Sequence, residues 1–134
     1  MISGIKTTVF TAFFMILFIN SQALNRADTI FGIWNEDTVI VDRNFIVPAD
    51  SQLIIEPGTQ ILFTRSFFIE VEGSLVACGT QENIIIFDVT DTTGFHVDSI
   101  SDGGWGGIRF SGIANQADSS ILEYCRFRFG KAVS

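Results

Sequence analysis

Histidine, cysteine and basic residues are scarce in this chain. Its 134 residues include 1 His and 2 Cys, too few for the His and Cys ligand sets that hold zinc. The 8 Lys and Arg residues face 15 Asp and Glu residues, and the formal net charge is -7. An acidic chain with scattered basic residues is a poor partner for nucleic-acid phosphates or anionic lipids. The composition therefore predicts no nucleic-acid partner.

Proline and charged residues are also few, while apolar residues are plentiful. The chain has 2 Pro, 17% charged residues and 47% hydrophobic residues. A disordered chain needs more charge and less apolar surface, collagen needs far more proline, and a coiled coil needs charged heptads. The length suits a single globular domain.

The amino-terminal segment 1–23 has the pattern of a secretory signal peptide. Lys6 is the only charged residue before Arg26, and the apolar run 9–19 follows it, broken only by Thr11. The small residues Ser21 and Ala23 then form a small-x-small cleavage motif, which places cleavage after Ala23. A bilayer span needs roughly 20 apolar residues, so this run is too short to be an anchor. We expect an exported chain with no membrane span after cleavage.

Short runs of β-branched and aromatic residues, bounded by turn residues, fill the rest of the chain. This pattern predicts many strands and an all-β fold: a sandwich, a barrel or a solenoid. The predicted strands are 38–41, 45–47, 53–55, 61–63, 67–71, 75–77, 84–87, 108–110 and 121–129.

Several of these runs recur at a nearly constant interval along the chain, as internal repeats do. Leu53 and Leu75 are one such interval apart, and Phe63, Phe87 and Phe110 follow one another at closely similar intervals. Three short strands in each period are what one coil of a parallel β-helix needs, with like side chains stacked between coils. We therefore expect Leu over Leu and Phe over Phe. A β-sandwich has similar strand spacing and remains an alternative. A jelly-roll lectin is a further alternative.

In their order along the chain, these segments resemble the opening coils of secreted right-handed parallel β-helix proteins, the pectate-lyase-like superfold. The resemblance implies a cap at 24–37, with Trp34 over the end of the core. It also implies about three or four coils over 38–134, cut short at the end of the sequence. The matching segments are 37–41, 45–48, 53–63, 71–80, 84–87, 104–110 and 120–125.

A polar link between two predicted strands carries the only metal candidates. Asp98 and Asp102 lie in a string that loosely resembles a calcium loop, and carboxylate oxygens suit Ca²⁺. The string lacks the closing Glu, so a solvated insertion loop is the alternative. His96 lies in the same link with no visible nucleophile partner. No cofactor other than Ca²⁺ is expected, and no catalytic residue is assigned.

The segment Gly103–Gly107 places Trp105 among four glycines. An exposed Trp105 would be a platform for stacking on a sugar ring. The alternative is a Trp105 packed against the link that precedes it. Arg109, Arg126 and Arg128 alternate with apolar neighbours, so they are expected to face outward as solvated residues.

Cys78 and Cys125 are predicted to remain unbonded. Their separation along the chain corresponds to about two coils, or roughly 9–10 Å along the axis. A disulfide needs Cα atoms within about 7 Å. The alternation of side chains turns Cys78 outward and makes Cys125 a small core residue.

These features predict a secreted or cell-surface β-helix scaffold or binding domain without catalysis, located in the periplasm, outside the cell or on its surface. Its partners would be glycans or proteins, and its unpaired strand edges permit edge-to-edge self-association. The alternative is the amino-terminal part of a polysaccharide lyase or glycoside hydrolase whose catalytic coils are missing, since this fold carries many activities.

Overall fold

Only β-strands and their connections occur in the described part of the chain. The computed structural model describes residues 27–112 and 119–131, so the predicted signal peptide 1–23 lies outside this part. Within these two ranges no helix is long and apolar enough to span a bilayer. The strands are β1 Asp28–Thr29, β2 Gly32–Trp34, β3 Thr38–Val41, β4 Phe45–Val47, β5 Gln52–Ile55, β6 Gln60–Phe63, β7 Ile69–Val71, β8 Ser74–Cys78, β9 Ile85–Val89, β10 Ile108–Phe110, β11 Ile121–Glu123 and β12 Cys125–Phe127.

The strands form three parallel sheets of four strands each. The first sheet has the order β1-β4-β7-β10, the second β11-β8-β5-β2 and the third β12-β9-β6-β3. Each strand from β1 to β9 therefore pairs with the strand three places further along the chain. This stacking confirms the all-β prediction and is compatible with a parallel β-helix. Jelly rolls and Greek-key sandwiches are antiparallel, so the sandwich and lectin alternatives are wrong.

Three consecutive strands, one from each sheet, are called a layer below. The first layer is β1–β3 and the last layer is β10–β12. The pairing of Leu53 with Leu75 confirms the predicted interval in the second sheet. Side chains at alternate positions point inward, and these positions are the buried ones: Leu53 and Ile55 on β5, then Leu75 and Ala77 on β8.

The predicted stack of Phe63, Phe87 and Phe110 is wrong. Phe63 pairs with Val89 and Phe87 with Ile61, while Phe110 lies in the first sheet opposite Val71. For Phe63 and Phe87 the cause is a longer link after β8. Ile55 and Ala77 are partners, and so are Gln60 and Ile86, yet the chain from Ala77 to Ile86 is longer than that from Ile55 to Gln60. The additional residues form a turn in which the amide of Asn83 donates to the carbonyl of Thr80.

The segment predicted as a cap enters the sheets. Asp28–Thr29 pairs with β4 and Gly32–Trp34 pairs with β5, so the described part of 24–37 supplies strands to the first layer. Trp34 is partly buried against the core, and its ring lies edge-on to Phe45 with 6.3 Å between centroids. At the other end of the chain, Tyr124 has a φ of 50° and divides the predicted strand 121–129 into β11 and β12.

Candidate functional site

A long connection between β9 and β10 interrupts the regular step between layers. It is called the insertion loop, residues 90–104. Because of it, the interval from Ile69 to its partner Ile108 is much longer than the interval from Phe45 to its partner Ile69. Long irregular connections on a regular scaffold often carry function.

The ammonium of Lys131 holds the insertion loop in place. Lys131 Nζ donates hydrogen bonds to three backbone carbonyls of the loop: Gly94 at 2.9 Å, Val97 at 2.9 Å and Asp102 at 3.1 Å. The backbone of Lys131 also bonds to Trp105, its amide donating to the Trp105 carbonyl at 2.9 Å. A cation of the chain itself therefore satisfies these convergent carbonyls.

The two predicted calcium candidates lie apart from any ligand cluster. Asp98 and Asp102 are both exposed on the insertion loop. Within residues 27–112 and 119–131 no three His, Cys, Asp or Glu side chains are grouped so that they could hold a metal ion. The backbone carbonyl of Asp102 faces the Lys131 ammonium. His96 is exposed beside Phe95, at 5.2 Å between ring centroids.

Trp105 is a core residue with 2% of its surface exposed. Its ring stacks on Phe63 at 4.3 Å and on Phe87 at 5.8 Å between centroids. Its indole N–H donates to the Arg128 carbonyl at 2.7 Å. Because the ring is buried and its N–H is bonded, Trp105 has no free surface for a sugar. The predicted sugar platform therefore does not fit this geometry, and neither does a Trp105 packed against the loop alone.

A polar cleft opens where the insertion loop meets the turn after β6. Its volume is about 480 Å³. Its lining includes the apolar residues Phe63 and Val89 and five residues with hydroxyl, guanidinium or carboxylate side chains: Thr64, Arg65, Asp91, Thr93 and Asp102. The turn supplies the basic residue of this lining and the loop supplies both acidic residues. Such a mixture of donors and acceptors suits a ligand rich in hydroxyl groups.

Asp91 is held as a carboxylate in this cleft. Its Oδ1 accepts a hydrogen bond from the Thr93 amide at 2.8 Å. Hydrogen bonds from the Thr93 side chain and amide lower the pKa of Asp91 below its ordinary value, because they favour the ionised form. At neutral pH Asp91 therefore acts as a hydrogen-bond acceptor.

A second cleft of about 460 Å³ is lined by Ser101 of the insertion loop and by Phe68 and Arg109. The Arg109 guanidinium lies 3.8 Å from the centroid of the Phe68 ring, in a cation–π contact. Arg109, Arg126 and Arg128 are all exposed, which confirms the prediction that they face outward. Arg128 also pairs with Asp88, with 3.4 Å between Nη1 and Oδ2.

Both cysteines are free thiols, as predicted, but the predicted distance between them is wrong. Glu123 pairs directly with Cys78, so Cys125 lies only one strand step from Cys78, since the insertion loop consumes many of the intervening residues. The Cys125 Sγ–H donates to the Ala77 carbonyl at 3.3 Å. Partial burial raises the pKa of the Cys125 thiol, since desolvation disfavours the thiolate.

The sequence identified the insertion loop as polar but not the cleft beside it. Thr64 and Arg65 follow β6 with no motif that marks them, and only the fold brings them to Asp91 and Asp102. Comparison of the chain with protein-family models, with curated proteins and with solved structures gave no match in any of the three.

Proposed function

We propose that this chain is a secreted, non-catalytic binding domain built as a right-handed parallel β-helix, and that its polar cleft binds a glycan. The described strands would form four coils, one for each layer. Right-handed coiling is supported by the rule that about 98% of connections between parallel strands of one sheet are right-handed. Export is supported by the signal-peptide pattern of residues 1–23.

The polar cleft carries the glycan proposal. Asp91 and Asp102 present carboxylate oxygens that accept hydrogen bonds from sugar hydroxyls, while Arg65 donates. An uncharged glycan fits this site best, because two carboxylates and a net charge of -7 oppose an acidic polysaccharide. The ligand class is therefore a neutral polysaccharide rather than a polyuronate.

Binding to soluble polysaccharides tests this proposal. The purified chain would be titrated calorimetrically with neutral galactan, mannan and xylan, and with acidic polygalacturonate. We expect binding to at least one neutral glycan, and a loss of at least about tenfold in affinity for Arg65→Ala and for Asp102→Asn, since bonds to charged groups are strong.

Asp98→Asn is the matched control, because Asp98 lies on the same loop and does not line the polar cleft. It should bind as the unaltered chain does. Absence of binding to every glycan, or equal losses for Asp98→Asn and Asp102→Asn, would overturn the proposal. Release of unsaturated products from polygalacturonate would instead favour part of a polysaccharide lyase.

A further inference from the structure

The last layer ends in apolar side chains that point inward and are covered by no further layer of the described residues. Phe110 is 54%, Leu122 40% and Phe127 48% exposed. Their partners in the layer below, Val71, Ala77 and Phe87, are at most 1% exposed. The difference arises because β10, β11 and β12 each stand at the edge of their sheet. Together they form an open end with three unpaired strand edges.

The first layer presents apolar residues at matching positions of the same columns. In the second sheet one column runs from Leu122 through Ala77 and Ile55 to Trp34. In the third sheet a column runs from Phe127 through Phe87 and Ile61 to Val39. If a second copy continued the stack, Leu122 of one copy would lie on Trp34 of the next, and Phe127 would lie on Val39.

An outward-facing column matches as well. It runs from Ile121 through Val76 and Ile54 to Ile33. Ile121 is 47% exposed and Ile33 is 59% exposed. A stacked second copy would cover these two isoleucines with each other.

The two ends of the stack carry opposite charge. Residues 27–43 of the first layer contain Arg43 and four acidic residues: Asp28, Glu36, Asp37 and Asp42. The described residues of the last layer and its following segment, 105–112 and 119–131, contain Glu123 and four basic residues: Arg109, Arg126, Arg128 and Lys131. Arg128 pairs with Asp88 and Lys131 binds the insertion loop, so Arg109 and Arg126 are the exposed cations that a neighbour would meet. This asymmetry favours contact between unlike ends and opposes contact between like ends.

We propose that a second copy of this chain docks head to tail, with its first layer on the last layer of its neighbour. β10, β11 and β12 would pair in parallel with β1, β2 and β3 of the next copy, continuing all three sheets. Because the two contacting surfaces differ, the interface is heterologous and assembly is open-ended rather than limited to a dimer. The inference uses the proposed β-helix fold and is independent of the glycan site.

Charge-reversed ends test this arrangement by sedimentation velocity over a range of concentrations. Arg109→Glu with Arg126→Glu makes the last layer acidic, and Glu36→Arg with Asp37→Arg makes the first layer basic. Each double variant alone should associate at least about tenfold more weakly than the unaltered chain. An equimolar mixture of the two should recover association, because each acidic end then meets a basic one.

Glu56→Arg with Glu72→Arg is the control, since both residues are exposed in the middle of the stack and belong to neither end. It should assemble as the unaltered chain does. The far-UV circular dichroism spectrum shows whether each variant folds. If a variant does not fold, the sedimentation of the unaltered chain over the same concentrations still tests the arrangement. A monomer at every concentration, a closed dimer, or a mixture that does not recover association would each overturn the proposal. None of these results would alter glycan binding, which Arg65→Ala tests separately.

Discussion

Trp105 joins the insertion loop to the apolar core through both its ring and its indole N–H. The ring stacks on Phe63 and Phe87, and the N–H is bonded to a backbone carbonyl. Its glycine neighbours permit this close packing. A Cβ on Gly104 would lie 2.8 Å from the Phe129 carbonyl oxygen, and one on Gly106 would lie 3.1 Å from that of Ser66. The glycines therefore bring the backbone near its neighbours so that the indole can enter the core.

Replacement of this ring should strongly destabilise the protein. Trp105→Ala is expected to lower the free energy of unfolding by about 3–5 kcal/mol, because it leaves a cavity between aromatic residues. Urea denaturation followed by far-UV circular dichroism measures the change.

Val97→Ala is the control for Trp105→Ala, since Val97 lies on the insertion loop and is 46% exposed. Its effect should stay within about 0.5 kcal/mol. Equal effects of the two substitutions would contradict the position of Trp105 in the core.

The insertion loop is an element without regular strands, ordered by short turns and by one distant side chain. Within it the amides of Phe95, Val97 and Ile100 donate to carbonyls three positions earlier. Lys131 then binds three carbonyls of the loop from beyond β12. Asp91 and Asp102 belong to this element, so the polar cleft depends on the position of the loop.

Removal of the Lys131 charge should loosen the loop and leave the sheets intact. Lys131→Met keeps an unbranched apolar side chain, but the carbonyls of Gly94, Val97 and Asp102 lose their hydrogen-bond donor. Hydrogen–deuterium exchange should become about tenfold faster at the loop amides. The reason is that a hydrogen bond to a charged group stabilises the ordered loop by about this factor.

Arg126→Met removes an exposed charge from β12 and serves as the control. It should leave exchange in the loop unchanged. A loop that keeps its protection in Lys131→Met would show that the ammonium does not order it.

At the scale of the whole molecule, the described strands form one stack around one apolar core. Buried residues from Val41 to Phe87 form a single cluster that includes Trp105. Each layer is therefore stabilised by packing against the adjacent layers. Every pairing between strands joins segments that are distant in sequence, from Asp28 with Phe45 in β1 and β4 to Val76 with Ile121 in β8 and β11. Such a fold is slow to form.

Export itself is tested on the whole chain. Expressed with residues 1–23 in a secreting host, the protein should leave the cytoplasm and begin at Leu24. Intact mass and amino-terminal sequencing measure this. Ala23→Arg should block cleavage, since the last position of the cleavage motif requires a small residue. A chain that stays in the cytoplasm and keeps Met1 would contradict secretion.

Much of the strand pattern was evident in the sequence. Runs such as 45–47 and 108–110 became strands because β-branched and aromatic residues bounded by turn residues favour extended backbone locally. The interval between Leu53 and Leu75 predicted a parallel stack, since one coil must return each inward position to the same column. The outward positions of Arg109, Arg126 and Arg128 follow from the same alternation.

Other features depend on contacts that no local pattern specifies. The register of Phe63 and Phe87 depends on the length of the link after β8. The burial of Trp105 depends on partners in two other layers, Phe63 and Phe87. The polar cleft needs Arg65, Asp91 and Asp102 to meet across distant segments. Sequence alone thus determined most of the strands and the interval between Leu53 and Leu75, because these follow from local preference and period. Tertiary structure decided register, burial and the site, because these depend on which segments the folded stack brings together.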